Sequence, residues 1–175
     1  MNIGIKFKIL NEYGNYIKQI LNNIDSANYI WKIAEDEVYV SGNNINNGFL
    51  FPQEKEILTN TEFMNIISQE SYYTVFVNIK LYEKEDEVSI NNYEDFLKSI
   101  CILVLFITDN EFVEIYSKDE NILKVIYENA LENEFSDIKY ITENDSKRKT
   151  FSAYSDWLSN GTGRNDIEKD EISVK

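Results

Sequence analysis

A stretch of alternating side chains at residues 72–82 constrains the fold more than any other part of this sequence. Apolar residues occupy every second position from Tyr73 to Leu81, and a period of two is typical of a strand with one strongly buried face. Residues 101–107 are apolar without interruption, which is the pattern of a strand buried on both faces. We therefore expect a sheet in which the segment 101–107 is central.

Shorter patterns predict the other elements. Acidic Glu35-Asp36 is expected to form the turn of a hairpin between strands 28–34 and 37–41. Helices are predicted where apolar residues recur at three- and four-residue spacing or follow a capping box, such as the one formed by Thr59 and Glu62. The predicted order is β-α-β-β-(α)-β-α-β-β-α-β. Several hairpins among the helices favour an α+β fold, with a mainly antiparallel sheet and helices packed on one face.

The length of 175 residues fits one domain that buries its own core. We predict a single α+β domain at 1–142, a partly ordered C-terminal segment at 143–159 and a disordered tail at 160–175. The segment Ser41–Gly48 consists almost entirely of Asn, Gly and Ser and is expected to be a mobile loop.

Charge argues against one large class of partners. Acidic residues number 31 and basic residues 17, a net charge of −14, which repels phosphate backbones and disfavours direct nucleic-acid binding. Within 1–142, eleven lysines and no arginine stand against 24 acidic residues, a net charge of −13. The basic run at 147–149 (Lys-Arg-Lys) is short, so we interpret it as a flexible, solubilising link.

The sequence shows neither a secretory leader pattern nor an apolar run long enough to span a bilayer. We therefore expect a cytoplasmic protein that does not associate with membranes. The single cysteine, Cys101, lies in the apolar run 101–107, where a thiol behaves as a small buried hydrophobe. A reactive role for it is not expected, since apolar surroundings raise the pKa of a thiol.

Much catalytic chemistry has no sequence support. The chain contains no histidine, which excludes Ser-His-Asp and Cys-His activation and imidazole metal sites. Its six glycines form no phosphate-binding pattern, and no calcium-loop motif is present. We expect a protein that is not an enzyme and that uses no cofactor or metal. A pair of carboxylates acting in acid–base catalysis is the least favoured option.

Four segments carry a family resemblance: Ile3–Gly14, Tyr29–Ile33, Tyr93–Lys98 leading into the apolar run, and Ile138–Asp145. They are similar to a small family of bacterial proteins known as a domain of unknown function. The resemblance spans most of Ile3–Tyr154 and rests on strand and helix patterning. It implies no catalytic residues, so function has to be argued from the chain itself.

Two functional hypotheses remain. The preferred one is a non-catalytic acidic binding protein, an inhibitor or immunity-type partner of a protein with a basic surface. The expected contact residues are Glu35, Asp36, Glu37, Tyr72, Tyr82, Glu83, Glu85, Asp86 and Glu87. The alternative is a small-ligand-binding module with an aromatic-lined cleft that includes Trp31. The oligomeric state, the strand order in the sheet and the identity of the partner stay open.

Overall fold

A computed structural model describes residues 1–42, 48–69 and 71–159. The predicted tail at 160–175 and most of the predicted loop at 41–48 lie outside the described residues. Within the described part the chain forms seven strands and five helices. In chain order they are β1 (Asn2–Lys8), α1 (Tyr16–Leu21), β2 (Ile30–Val40), β3 (Ile57–Thr59), α2 (Asn60–Ile67), β4 (Tyr72–Tyr82), α3 (Tyr93–Lys98), β5 (Cys101–Thr108), β6 (Phe112–Ser117), α4 (Glu120–Glu132), β7 (Ser136–Thr142) and α5 (Ala153–Ser159).

The described strands form one sheet in the order β3-β2-β4-β5-β6-β1-β7. Each neighbouring pair is antiparallel, so the predicted α+β class and antiparallel sheet are confirmed, as is the order of strands and helices. The uninterrupted apolar strand β5 is the central one, as its pattern predicted. It is flanked by β4 and β6, and both of its faces are buried except at Ile102.

The hairpin predicted at Glu35-Asp36 is wrong. Residues 30–40 form one continuous strand, β2, with a register shift between Ile33 and Glu35 where it pairs with β4. The shift is a bulge that accommodates one extra residue in β2. A bulge bends a strand without ending it, so no turn is needed at Glu35-Asp36. The third strand of the order is instead β3 at Ile57–Thr59, which pairs with the start of β2.

One side of the sheet, here called the first face, carries α1, α2 and α4 over a large apolar core. Trp31 illustrates its closure: the indole is fully buried, stacks on Phe63 with ring centroids 4.2 Å apart, and donates a hydrogen bond to Asn60 Oδ1. Trp31 is therefore a core residue and does not line a cleft, contrary to the prediction.

The opposite side, the second face, holds a smaller core. Phe76, Val104 and Phe106 point to this side, alternating with the first-face residues of β4 and β5. The short helices α3 and α5 cover these side chains. The prediction of helices on one face thus describes α1, α2 and α4, while the apolar second face of the two central strands requires a cover of its own.

The described helices are short. The longest, α4, has 13 residues, and no helix in the described part of the chain is long and apolar enough to cross a bilayer.

Candidate functional site

The second face is organised by a row of side chains that crosses six strands. Cross-strand pairing aligns residues from β2 to β7, each opposite the next: Glu35, Asn78, Phe106, Glu114, Lys6 and Lys139. Aligned side chains on neighbouring strands lie about 5 Å apart at their Cβ atoms. This polar row therefore runs from one side of the sheet to the other and changes from acidic to basic along its length.

The C-terminal segment, residues 143–159, lies across the middle of this row. Glu35 fixes it: its carboxylate accepts hydrogen bonds from the Ser152 hydroxyl at 2.7 Å and from the Ala153 amide at 2.8 Å. The amide of Asn78 donates to Glu35 at 3.0 Å and to the Phe151 carbonyl at 3.1 Å. The segment predicted to be partly ordered is docked through three hydrogen bonds at this point.

Aromatic packing adds to these hydrogen bonds. Phe151 is 4% exposed, and its ring lies 5.2 Å from the rings of Tyr116 and Phe106. Further along, Tyr154 and Trp157 pack on Phe76 with ring centroids 5.5 and 5.6 Å apart. The C-terminal segment thereby covers the second face from Tyr116 to Phe76.

Arg148 anchors the segment beside the row. Its guanidinium lies 4.0 Å from the ring centroid of Phe106, and Nη1 pairs with Glu114 at 3.1 Å. Nη2 pairs with Asp156 of α5 and also donates to the Ser152 carbonyl at 3.2 Å. The side chain is only 7% exposed, and its Nε is buried without a hydrogen-bond partner in the described structure.

Beyond Arg148 the second face is open and forms a groove of about 690 Å³. Its floor is built from side chains of β5, β6, β1 and β7, and one wall is formed by Arg148 and Asp156. The residues that line it are Lys6, Phe7, Lys8, Phe106, Thr108, Asp109, Phe112, Val113, Glu114, Asp137, Lys139, Arg148 and Asp156. A groove of this volume is within the range of small-molecule sites in proteins.

Two lysines on the groove floor face each other. Lys6 and Lys139 are directly opposed on β1 and β7, both side chains are exposed, and like charges in this position repel. Neither forms a salt bridge within the described residues. Lys6 is also opposite Glu114, but that carboxylate is held by Arg148 and by the Tyr116 hydroxyl. Neither lysine is thus neutralised by an ion pair among the described residues, although Lys6 lies close enough to Asp145 for the two charges to interact.

The rest of the groove combines charge with an accessible ring. Lys8 forms a salt bridge with Asp137 at 3.3 Å, and its Nζ lies 5.5 Å from the ring centroid of Phe112. Phe112 is 41% exposed. Two further lysines of the second face, Lys32 and Lys80, are opposed on β2 and β4. In an acidic chain the lysines of the sheet therefore concentrate on this side.

The structure separates the predicted contact residues into groups that do not meet. Glu35 points to the second face, where it holds the C-terminal segment, whereas Asp36 on the next position accepts a hydrogen bond from Gln53 at 3.1 Å. Burial raises the pKa of Asp36. Glu37 accepts a hydrogen bond from the Tyr39 hydroxyl at 2.7 Å. Glu35 and Glu37 therefore stabilise the fold of the chain itself.

Tyr72 and Tyr82 are not surface residues. Tyr72 is fully buried and its hydroxyl donates to the Ile67 carbonyl, while Tyr82 is 1% exposed with a hydroxyl that has no partner among the described residues. Burial raises the pKa of both phenols. Their prediction as accessible contact residues is wrong, because alternation in a strand cannot show that both faces of β4 are covered.

The acidic residues at 83–87 form a separate surface after β4. Glu83, Glu85 and Glu87 are exposed and Asp86 is half-buried. Three apolar side chains are exposed in the following residues: Val88 at 58%, Leu97 at 52% and Ile100 at 44%. A shallow depression of about 450 Å³ lies between the loop and α3. We call residues 83–100 the acidic surface.

Cys101 is fully buried, as predicted, and burial raises its pKa to about 11. Lys80 on the same face is 7% exposed, and burial lowers its pKa. No group of three or more acidic or cysteine side chains that could hold a metal ion occurs in the described part of the chain.

Sequence reasoning missed the groove residues. Lys6 and Lys8 alternate with buried Ile5 and Phe7, so their exposure on an open face could have been read from the pattern. Their proximity to Lys139 could not, because it depends on the pairing of β1 with β7. Arg148 was assigned to a flexible link, although it is the one arginine in the first 160 residues.

Comparison with known proteins places this chain beside proteins of unknown function. The family described as "Protein of unknown function (DUF2691)" matches residues 2–152. The uncharacterized protein YncE of Bacillus subtilis (strain 168) is 39% identical over 149 residues, which cover 84% of this chain and 97% of the relative. No solved structure matches.

Proposed function

Since this chain belongs to the DUF2691 family, whose description names no activity, we propose a function from the residues themselves. The chain is a non-catalytic binding protein of the cytoplasm, and the groove on its second face binds a small anionic ligand. The resemblance to a bacterial family of unknown function is confirmed by the comparisons. The proposed function is argued from the geometry of the groove.

The single observation that carries the proposal is the opposed pair Lys6 and Lys139 at the floor of a 690 Å³ groove. The two side chains leave the sheet about 5 Å apart at their Cβ atoms, and their like charges repel each other. An anion bound in the groove reduces that repulsion and can accept charge-assisted hydrogen bonds from the lysines. The pair therefore favours a bound anion over an empty groove.

The ligand also needs a flat apolar part. Phe112 presents 41% of its surface beside the lysines, and rings stack on exposed aromatic faces with a gain of about 0.5–1.5 kcal/mol. The proposed ligand is thus an aromatic or similarly flat molecule with an anionic group. This develops the small-ligand hypothesis, with a cleft formed by β1, β6 and β7 in place of one near Trp31.

A thermal-shift and calorimetric titration with defined probes tests the proposal. The probes are benzoate, phenyl phosphate and, as a neutral analogue, benzyl alcohol, all at low ionic strength. We expect the two anions to raise the melting temperature and benzyl alcohol to have no effect, because a ligand stabilises the state that binds it.

The charge dependence is tested with a matched pair of double variants. Lys6→Gln combined with Lys139→Gln should weaken anion binding at least tenfold, about 1.4 kcal/mol. Lys18→Gln combined with Lys124→Gln removes the same charge from α1 and α4 and should leave the affinity unchanged. Equal losses in both double variants, or no binding of either anion to the wild type, would count against the groove.

A second candidate function rests on the acidic surface at 83–100. Exposed Val88, Leu97 and Ile100 beside exposed acidic residues resemble the composition of a partner-binding surface, in which an apolar centre has a charged rim. A partner protein with a basic surface would match it, as the acidic composition predicts. Association should be fast at low salt and fall steeply with ionic strength.

Variants separate this second function from the first. Changing Glu83, Glu85 and Glu87 together to Gln should slow association with a basic partner, whereas changing Glu120, Glu128 and Glu132 of α4 to Gln removes the same charge elsewhere. Binding of a basic protein that both triple variants weaken equally would show general electrostatic attraction and not a site. Direct nucleic-acid binding and membrane binding form no part of either proposal.

A further inference from the structure

We propose that the groove selects a ligand with a carboxylate group, and that the Asp156 carboxylate occupies the ligand's carboxylate position on Arg148 until the ligand displaces it. The inference rests on the proposed function, since it concerns the same groove. It adds the class of anion and a competitor that the chain itself supplies.

Arg148 has the properties of an anion receptor. A guanidinium presents its donors in a planar fork that matches a carboxylate, and stacking on an aromatic ring fixes that plane. Here the ring of Phe106 lies 4.0 Å from the guanidinium carbon, and Glu114 holds Nη1. Nη2, on the α5 side, is the part of the fork that faces the groove wall at Asp156.

The orphaned Nε points to an incomplete set of partners. The Arg148 side chain is more than nine-tenths buried, yet its Nε finds no acceptor in the described structure. A buried donor without a partner costs about 1–3 kcal/mol. A ligand oxygen near Arg148 can supply an acceptor that the side chains of the described residues do not.

Asp156 is held in a way that favours its replacement. Its side chain is 38% exposed at the groove wall, so water and ligand can reach it. Burial raises the pKa of the Asp156 carboxyl against the opposing effect of Arg148, which shows that its ionised form loses hydration here. An external carboxylate can take over the contact with Nη2 while Asp156 returns to water.

The position of Asp156 in the chain supports its role as an added competitor. The region matched by the family ends at residue 152, one position before α5 begins. Arg148, Glu114, Lys6 and Lys139 all lie inside that region, and Asp156 lies outside it. The receptor therefore belongs to the family part of the chain, while the residue that fills it here does not.

A carboxylate fits this position better than a phosphate does. Glu114 already contributes a carboxylate to the same guanidinium, and a second charge on the ligand would increase repulsion with it. A monoanionic, planar group binds Arg148 with the least electrostatic repulsion from Glu114. Benzoate should therefore bind more tightly than phenyl phosphate once Asp156 is neutralised.

The test compares an aspartate of the groove with one outside it. Asp156→Asn removes the charge from the partner of Arg148, and Asp25→Asn removes the same charge from an exposed position between α1 and β2 that does not line the groove. Benzoate and phenyl phosphate are titrated into each variant and into the wild type by calorimetry. We expect Asp156→Asn to raise the affinity for benzoate about tenfold, which corresponds to 1.4 kcal/mol, and Asp25→Asn to raise it less than twofold.

A spectroscopic signal reports on Arg148 directly. The chain has two arginines, Arg148 and Arg164, so an NMR spectrum of arginine Nε–H groups contains at most two signals. The variant Arg164→Lys assigns them. Benzoate should shift the Arg148 signal and, in the wild type, the ¹³C carboxyl signal of Asp156. The wild-type measurement keeps the test valid even where Asp156→Asn fails to fold.

The outcomes separate this inference from the proposed function. If benzoate changes the chemical shifts of the Lys6 and Lys139 amides but leaves the signals of Arg148 and Asp156 unchanged, the proposed function is supported and the competitor role of Asp156 is wrong. An equal gain of affinity in Asp156→Asn and Asp25→Asn would show a general charge effect and overturn the competitor role as well. If neither anion perturbs any groove residue, both proposals fail.

Discussion

The two faces of the sheet are built from the same strands, but one is closed by an apolar core and the other is only partly covered. On the first face, Leu103, Leu105 and Ile107 of β5 meet the apolar sides of α1, α2 and α4. On the second face, the alternate residues of the same strands include Glu114, Lys6 and Lys139, with only a short segment over part of them. The first face is specialised for stability, and the second retains the opposed lysines Lys6 and Lys139, which form no ion pair within the described residues.

The polar groups that remain on the second face point to a binding role for it. Buried apolar area stabilises at about 25 cal/mol per Å², so a chain gains stability by closing a face with apolar side chains, as the first face does. Opposed lysines contribute little or nothing to folding. The Nε of Arg148 also stays unpaired, although the rest of the guanidinium anchors the C-terminal segment. Retaining such groups is what a binding site requires.

The largest expected effect lies on the first face. Leu105→Ala leaves a cavity beneath the helices, because Leu105 is fully buried in the large core. The free energy of unfolding should fall by about 4 kcal/mol, measured by urea denaturation. Lys6→Ala on the second face is the matched control, with an expected change within about 0.5 kcal/mol. Similar losses of stability in the two variants would contradict the proposed difference between the two faces.

The next effect concerns the docking of the C-terminal segment. Phe151→Ala removes a ring that packs on Tyr116 and Phe106, and should cost about 3 kcal/mol. Hydrogen exchange should rise first in α5, where the segment would detach. Tyr154, which is 41% exposed, provides a control, since Tyr154→Ala should cost about 1 kcal/mol. A loss of protection across the whole sheet would contradict local detachment.

A smaller loss of stability is expected at Asn129 of α4. This buried amide donates to the carbonyls of Ile20 and Asn22 at 2.9 and 2.7 Å, so it ties α4 to the end of α1. Asn129→Ala leaves both carbonyls without this donor and should cost about 2 kcal/mol. Asn133, the residue after α4, is exposed, and its side-chain amide donates a hydrogen bond to the Asn129 carbonyl at 2.8 Å. Asn133→Ala should change the free energy of unfolding by less than about 0.5 kcal/mol.

The smallest effect on stability is expected for the lysine pair. Lys6→Gln with Lys139→Gln should leave the free energy of unfolding unchanged or raise it by up to about 0.5 kcal/mol, because it removes a like-charged pair. Thermal unfolding at low and high salt checks the sign, and the wild type should gain more from salt than the double variant does. A clear destabilisation would show that the lysines serve the fold.

Local patterns were sufficient for several elements of the fold. The alternation at 72–82 and the apolar run at 101–107 correspond closely to β4 and β5. The capping box predicted at Thr59 and Glu62 is present, with both reciprocal hydrogen bonds. These features depend on neighbours in sequence, and the sequence contains that information directly.

Features that depend on distant pairing could not be predicted in the same way. Glu35-Asp36 reads as a turn because two acidic residues interrupt an apolar segment, yet pairing with β4 and hydrogen bonds from Ser152 and Ala153 hold Glu35 in a strand. The groove needs β1 between β6 and β7. No periodicity shows which strands become neighbours, so Lys6 and Lys139 could not be placed together.

Chemical-shift mapping with phenyl phosphate and benzoate tests the central claim most directly. The backbone amides of the whole chain are followed as each anion is added at low ionic strength. The account predicts saturable shifts concentrated on β1, β6 and β7 around Lys6, Phe112 and Lys139, and their loss in the Lys6→Gln and Lys139→Gln double variant. Shifts centred on residues 83–100, or spread evenly over exposed lysines, would contradict it.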